Sequence, residues 1–143
     1  MILYLDTSSL VKLYVDEPGS ADVHRLVEQA EVVAASVVAY PEARAALARR
    51  RREGSLPAPA HRRAKAALEA DWPRVLALDV SGPLARSAGD LAERYRLRGF
   101  DALHLASYLV VGREFSDEDV RFSSADPSLA RAARLARRGR RRR

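Results

Sequence analysis

At 143 residues and 15.8 kDa the chain is one domain's worth of sequence, enough to bury a core of its own. It holds no cysteine, which excludes disulfides and thiolate metal sites and agrees with a cytoplasmic location. The formal charge of +6 belongs to the end of the chain: residues 131 to 143 hold eight of the 25 Lys+Arg and no acid, leaving 17 basic against 19 acidic side chains, net −2, over the first 130. The apolar start is too short for a signal peptide, and no apolar run reaches membrane-spanning length.

Ile2 to Leu5 is an unbroken apolar run, which suits a strand covered on both faces in a parallel sheet. It stops at Asp6, and Thr7, Ser8 or Ser9 can cap a helix through Leu10, Val11, Leu13 and Tyr14. Asp6 thereby falls at the carboxyl end of a central strand, where open α/β sheets bind ligands. Residues 16–20 (DEPGS) read as a turn and helix start, with Val23, Leu26 and Val27 on one helical face. Residues 31–35 form a short, β-branched second strand. From about Val38 the spacing of Ala43, Ala46 and Leu47 is helical; Pro41 is tolerated only in a first turn, which sets Glu42 beside the helix start.

That helix closes on Arg49 to Arg52, either a solvated end or a contact for nucleic acid or a partner. Pro57 and Pro59 separate it from a helix over 60–71, so the two are expected to form a projecting hairpin with Trp72 and Pro73 at its foot. Residues 74–80 make a third strand. Leu84, Ala88, Leu91, Ala92 and Tyr95 then mark a long amphipathic helix, turned at Gly99. Asp101 opens a helix closed by Gly112, residues 115–119 form an acidic loop, and 120–124 a fourth strand. Asp126-Pro127 starts the last helix. The alternation implies one α/β domain over 1–136, with a parallel sheet and right-handed crossovers. The basic block 137–143 is read as a disordered tail, able to hold polyanions nonspecifically or simply solvated.

Asp6, Glu42, Asp101 and Asp126 each follow a strand or open a helix, and in a parallel sheet those positions share one edge. Singly, each is better explained as a helix cap, since acids suit first turns. Together they need more, because two carboxylates about 4 Å apart repel by about 4 kcal/mol at an effective dielectric near 20. Such a cluster calls for a cation or for raised pKa values. Oxygen-only donors select Mg²⁺ or Mn²⁺, which activate water and bridge phosphate oxygens in phosphodiester hydrolysis.

The blocks that carry these acids resemble a family. The strand with Asp6-Thr7-Ser8-Ser9-Leu10-Val11-Lys12, Glu42 after a second short strand, Arg98-Gly99-Phe100-Asp101-Ala102-Leu103-His104-Leu105-Ala106, and Phe122-Ser123-Ser124-Ala125-Asp126 are similar to the PIN domain, and most to the VapC toxin ribonucleases of toxin-antitoxin pairs. The resemblance runs from Met1 to about Ala136. It implies a three-layer α/β/α fold and an endoribonuclease dependent on Mg²⁺ or Mn²⁺, cutting RNA such as tRNA or rRNA by metal-activated water. It also implies a cognate VapB-type antitoxin as inhibitor, and a homodimer that forms a heterotetramer or larger assembly with it. Carried over by position, Asp6, Glu42 and Asp101 match the metal-binding acids, Asp126 a fourth and more peripheral one, and Ser8 and Ser124 hydroxyls that line the pocket. Family members usually end on a last strand after the final helix; here only Ala136 and then arginine and glycine follow Leu135.

Other residues invite roles and have plainer explanations. His104, one turn after Asp101, is read as a packed, hydrogen-bonded neighbour of the site rather than a general base, Asp79 as a cap for the helix near Pro83, and Asp119 as the one member of the acidic loop to check against a metal. Tyr4 and Tyr40 are read as core or rim. Rival folds fall behind: a response-regulator receiver lacks the paired acids and the late lysine, and a haloacid-dehalogenase-like phosphatase would want an acid at Ser8. A PIN nuclease of RNA processing, or a non-enzymatic basic RNA-binding module, are the alternative functions.

Overall fold

Strand β1 (Ile2–Leu5) is buried at all four positions and lies inside a parallel sheet of order β3-β2-β1-β4. This is a computed structural model, and the residues it describes are 1–140. After β1 come α1 (Thr7–Val11), α2 (Ser20–Gln29), β2 (Val32–Ser36), α3 (Ala39–Arg52), α4 (Ala58–Asp71), a 3-10 turn (Trp72–Arg74), β3 (Leu76–Leu78), α5 (Gly82–Tyr95), α6 (Gly99–Glu114), β4 (Val120–Ser123) and α7 (Pro127–Arg140). Pairing sets Leu3 beside Val33 and Arg121, and Leu5 beside Ser123, so β1 and β4 end together.

The period-two alternation of a strand divides β1 between two cores. Ile2 and Tyr4 face α6 and α7, packing with Leu105, Tyr108, Leu109 and Leu129. Leu3 and Leu5 face the other side, with Leu10, Val23, Leu47 and Leu68 from α1 to α4. A smaller cluster, Leu84, Ala88, Ala102 and Ala106, joins α5 to α6. Helices on both faces of a parallel sheet give the expected three-layer arrangement. The α3–α4 hairpin does not project free: Leu47, Leu56, Ala64 and Leu68 are all part of the core.

Several local expectations shift for identifiable reasons. Helix α1 stops at Val11, and Asp6 itself is its cap, accepting from the Ser9 amide at 2.9 Å. The next helix starts from Gly19, whose φ of +92° is the left-handed conformation that glycine adopts without strain. Ser81, not Asp79, caps α5 through the Leu84 amide at 3.2 Å. Helix α6 continues through Gly112 to Glu114, a cost of about 1 kcal/mol that a helix buried on most sides absorbs. The segment read as a disordered tail is helical as far as Arg140. Arg137 donates to the Tyr108 hydroxyl at 3.0 Å and to the Val120 carbonyl of β4; residues 141–143, the rest of that tail, lie outside the described residues. Among the described residues the sheet has four strands, with β4 at its edge.

Candidate active site

Asp6 sits where β1 gives way to α1 and is 4% exposed. Its Oδ1 accepts from the Ser8 hydroxyl at 2.7 Å and the Ser9 amide at 2.9 Å, and its Oδ2 accepts from the Ser124 hydroxyl. Ser8 also accepts from the Ala125 amide at 2.9 Å, and Ser124 from the Asp126 amide at 3.0 Å. The two serines therefore tie the turn after β1 to the turn after β4, with Asp6 as the common acceptor. Its hydrogen-bond partners among the described residues are all neutral. Burial pushes its carboxyl above the usual range, and the hydrogen bonds from Ser124, Ser8 and Ser9 reverse only part of that rise.

Glu42 is in the opposite situation. Pro41 falls in the first turn of α3, where its missing N–H costs nothing, and the Glu42 amide returns to the Val38 carbonyl at 3.2 Å. Its Oε1 accepts from the Thr7 hydroxyl at 2.7 Å and lies 2.9 Å from His104 Nε2. Burial would raise this carboxyl, but the hydrogen bonds from His104 and Thr7 outweigh it and hold the group below its usual range. His104 is 2% exposed, and its Nδ1 is 3.2 Å from the Tyr4 hydroxyl. With Nε2–H donating to Glu42, Nδ1 is left to accept from Tyr4. His104 thus orients an acid from inside the core, in keeping with the plainer of its two readings.

Asp101, on the first turn of α6, pairs with Arg98 at 3.4 Å. Asp126 accepts from the Ser128 amide at 2.8 Å and caps α7. These two line one pocket of about 610 Å³ with Asp6, Glu42, Ser8 and His104. Lys12, Arg49, Arg50 and Arg98 also line it, so acids are mixed with a basic wall. Ser124 is not part of that lining; it donates to Asp6 from a neighbouring cavity that it lines with Ser9 and Lys12.

The four sequence-selected acids thus share a pocket but do not meet at a point: among the described residues no three His, Asp or Glu side chains are gathered closely enough to hold one metal ion. The donor set nevertheless suits a hard divalent cation in kind, being carboxylate oxygen with no sulfur. Asp6 in particular is buried with neutral hydrogen-bond partners, the environment in which a cation gains most.

Two candidates fall away. Asp79 lines a different cavity, with Ser81 and Arg113. Asp119 pairs with Arg121 at 2.8 Å, and its carbonyl receives the Ile2 amide at the opposite end of β1. Sequence reasoning missed Thr7 as a partner of Glu42, and Glu17 and Lys12 as pocket residues. The signal for Thr7 was present but read as capping; nothing in the spacing of Glu17 pointed to the pocket.

The family model described as the PIN domain matches residues 3–135. Ribonuclease VapC45 of Mycobacterium tuberculosis (strain CDC 1551 / Oshkosh) and Ribonuclease VapC49 of Mycobacterium tuberculosis (strain ATCC 25618 / H37Rv) are each 37% identical over 111 residues, 78% of this chain and 77% of the relative. Among solved structures the fold is similar to FitAcB from Neisseria gonorrhoeae, with TM-score 0.66 and 19% identity over 94% of both chains. It is also similar to VapBC2 from Rickettsia felis bound to a promoter DNA fragment, with TM-score 0.55 and 13% identity over 87% of this chain and 100% of that one.

Proposed function

The chain belongs to the PIN-domain family, with VapC ribonucleases as its relatives, and on that footing we propose that it is a divalent-metal-dependent endoribonuclease, the toxin of a VapBC-type pair. The observation that carries the reading is the single pocket lined by Asp6, Glu42, Asp101 and Asp126 and walled by four basic side chains. Carboxylates suit a cation, and the cations suit a polyanion. The proposed substrate is therefore an RNA phosphodiester, in tRNA or rRNA, and the proposed place of action is the cytoplasm.

Asp6, Glu42, Asp101 and Asp126 are the residues that would hold Mg²⁺ or Mn²⁺. When bound, such an ion supplies Lewis-acid polarisation, a more acidic water and charge neutralisation at a phosphate. The protein's own part is positioning. Ser8, Ser124 and the Ser9 amide fix both oxygens of Asp6, while Thr7 and His104 fix Glu42. Lys12, Arg49, Arg50 and Arg98 attract the RNA backbone and hold it at the wall. The proposed partners are a VapB-type antitoxin and a second copy of this chain, a reading that rests on the VapC ribonucleases being its relatives.

The test is cleavage of total cellular RNA by purified protein with Mg²⁺, with Mn²⁺ and with EDTA, beside Asp6→Asn. Cutting that requires the metal and vanishes in the variant is expected. Equal cutting by both proteins would overturn the assignment of the acids. Growth arrest on expression, relieved by a co-expressed antitoxin, separates the toxin from a nuclease of RNA processing.

A further inference from the structure

We infer that Lys12 and Arg50 form a phosphate-binding subsite on the pocket wall, and that Glu17 occupies it in the free protein as a carboxylate stand-in for an RNA phosphate. The inference deepens the proposed ribonuclease function and rests on that reading for the identity of the ligand. Lys12 follows α1, Glu17 lies in the connection to α2, and Arg50 is near the end of α3, so three separate segments meet here. The Glu17 carboxylate is held as a fork: Oε1 accepts from Lys12 Nζ at 3.2 Å and Oε2 from Arg50 at 2.7 Å. All three residues line the pocket that holds the acids.

The geometry is that of an oxyanion with one cation on each oxygen, which the two non-bridging oxygens of a phosphodiester reproduce. Exposure separates this pair from the other basic residues of the pocket. The side chains of Lys12 and Arg50 are 13% and 24% exposed, against 65% for Arg49 and 88% for Arg98. Less exposed charges are less screened by salt, so these two are the cations best placed to bind a single phosphate rather than merely to attract a chain. The lysine is also preset, because its Nζ donates to the Pro18 carbonyl at 2.8 Å and its stem lies against Gly19 at 3.5 Å from where a Cβ would stand.

Exchanging one monoanion for another leaves both cations paired, so an incoming phosphate has only to displace Glu17 into water. Glu17 then acts as a competitor that weakens RNA binding and discriminates against short or weakly charged ligands. A purely structural clamp has the same contacts but a different signature: losing any of its three members would only harm the protein.

The experiment is binding of a fluorescein-labelled single-stranded RNA oligonucleotide in EDTA, by anisotropy, for wild type, Glu17→Gln, Lys12→Met, Arg50→Met and Arg50→Lys, with thermal melts of each and the cleavage assay alongside. Glu17→Gln is expected to tighten binding by about threefold or more, because it removes the competing charge, and Lys12→Met and Arg50→Met to weaken it by about tenfold, the worth of one charge-assisted hydrogen bond. Arg50→Lys, which keeps the charge, should recover part of the loss. Unchanged or weaker binding by a folded Glu17→Gln protein overturns the subsite, whatever the arginine and lysine variants do, and that result stands even if those variants fold poorly. RNA bound in the expected order but never cut would support the subsite while sinking the nuclease. Metal-dependent cutting in which Glu17→Gln changes neither affinity nor KM would sink the subsite and leave the nuclease intact.

Discussion

Replacing Thr7 with valine tests whether Glu42 is positioned by its neighbours or merely lies near them. The Thr7 hydroxyl donates to Glu42 Oε1 at 2.7 Å and stands 3.1 Å from His104 Nε2, itself 2.9 Å from the same oxygen. Valine keeps the shape and deletes the hydroxyl. A hydrogen bond to a charged acceptor contributes about 1.5 to 3 kcal/mol, but the Glu42 side chain is 32% exposed, so water replaces much of what is lost. The expected net loss of stability is about 1 kcal/mol, or about 3 to 5 °C in Tm for a chain of this size. Removing one of the two bonds that hold the Glu42 carboxyl down lets burial raise it. A carboxyl depressed by folding adds stability above its unfolded pKa, and that contribution is lost as pH falls through the folded value. The gap in Tm between wild type and Thr7→Val should therefore be widest at neutral pH and close in acid. In the cleavage assay kcat/KM should fall by about tenfold, with the acid limb of the pH profile moved upward. A folded variant that cuts at the wild-type rate across the profile would refute the positioning role, and a lower rate with an unmoved acid limb would assign the effect to packing instead.

Other perturbations read different links. Asp6→Asn in EDTA should melt higher than wild type at neutral pH. The Asp6 carboxyl is raised by folding, so the stability it contributes is present below its unfolded pKa and lost as pH rises through the folded value, and asparagine removes that loss; a variant that melts lower at every pH would contradict it. Asp101→Asn should abolish metal-dependent cutting with little change in Tm, since the residue is part-exposed and its ion-pair partner Arg98 is 88% exposed. Leu47→Ala, at a side chain 1% exposed between the hairpin and the sheet, should cost about 2 to 5 kcal/mol by urea unfolding, the usual range for a leucine cavity. An unfolding midpoint close to wild type would show that the hairpin contributes little to the core.

The fold was legible because its strongest signals are long and periodic. Ile2 to Leu5 could hardly be anything but a doubly covered strand, and the alternating four- and three-residue steps of Leu84, Ala88, Leu91 and Tyr95 left little choice for α5. Boundaries were less legible, since they depend on which of several adjacent groups wins a cap. Asp6 captured the Ser9 amide ahead of three hydroxyl residues, and Ser81 captured the Leu84 amide ahead of Asp79. Residues 137–140 differ from expectation for another reason: charge alone says disorder, but Leu129, Ala132, Ala133 and Ala136 give α7 a buried stripe that carries the helix onward to Arg140. The acids of the pocket were visible as residues after strands. Their hydrogen-bonding partners were not, because Thr7 and His104 are 97 residues apart and meet only once β1 and α6 have packed.

The contrast between Asp6 and Glu42 sets the last expectation. Two carboxylates of one pocket are pushed in opposite directions: Asp6 by burial among neutral donors, Glu42 by an imidazole and a hydroxyl that overcome burial. A divalent ion stabilises the charged form of whichever acids it binds, and the gain is greatest where ionisation is otherwise least favourable. Asp6 should therefore dominate the linkage between metal and folding. Mg²⁺ or Mn²⁺ at about 100 times its Kd should raise the unfolding free energy of wild type by about 2.7 kcal/mol. Because binding requires the deprotonated carboxylate, the gain should shrink as the solution is made acid. Asp6→Asn should lose nearly all of it and Glu42→Gln only part, measured as Tm against metal concentration. If the two variants lost the gain equally, the asymmetry of the two environments would have no bearing on the ion; if wild type itself showed none, the carboxylates would not be a metal site at all.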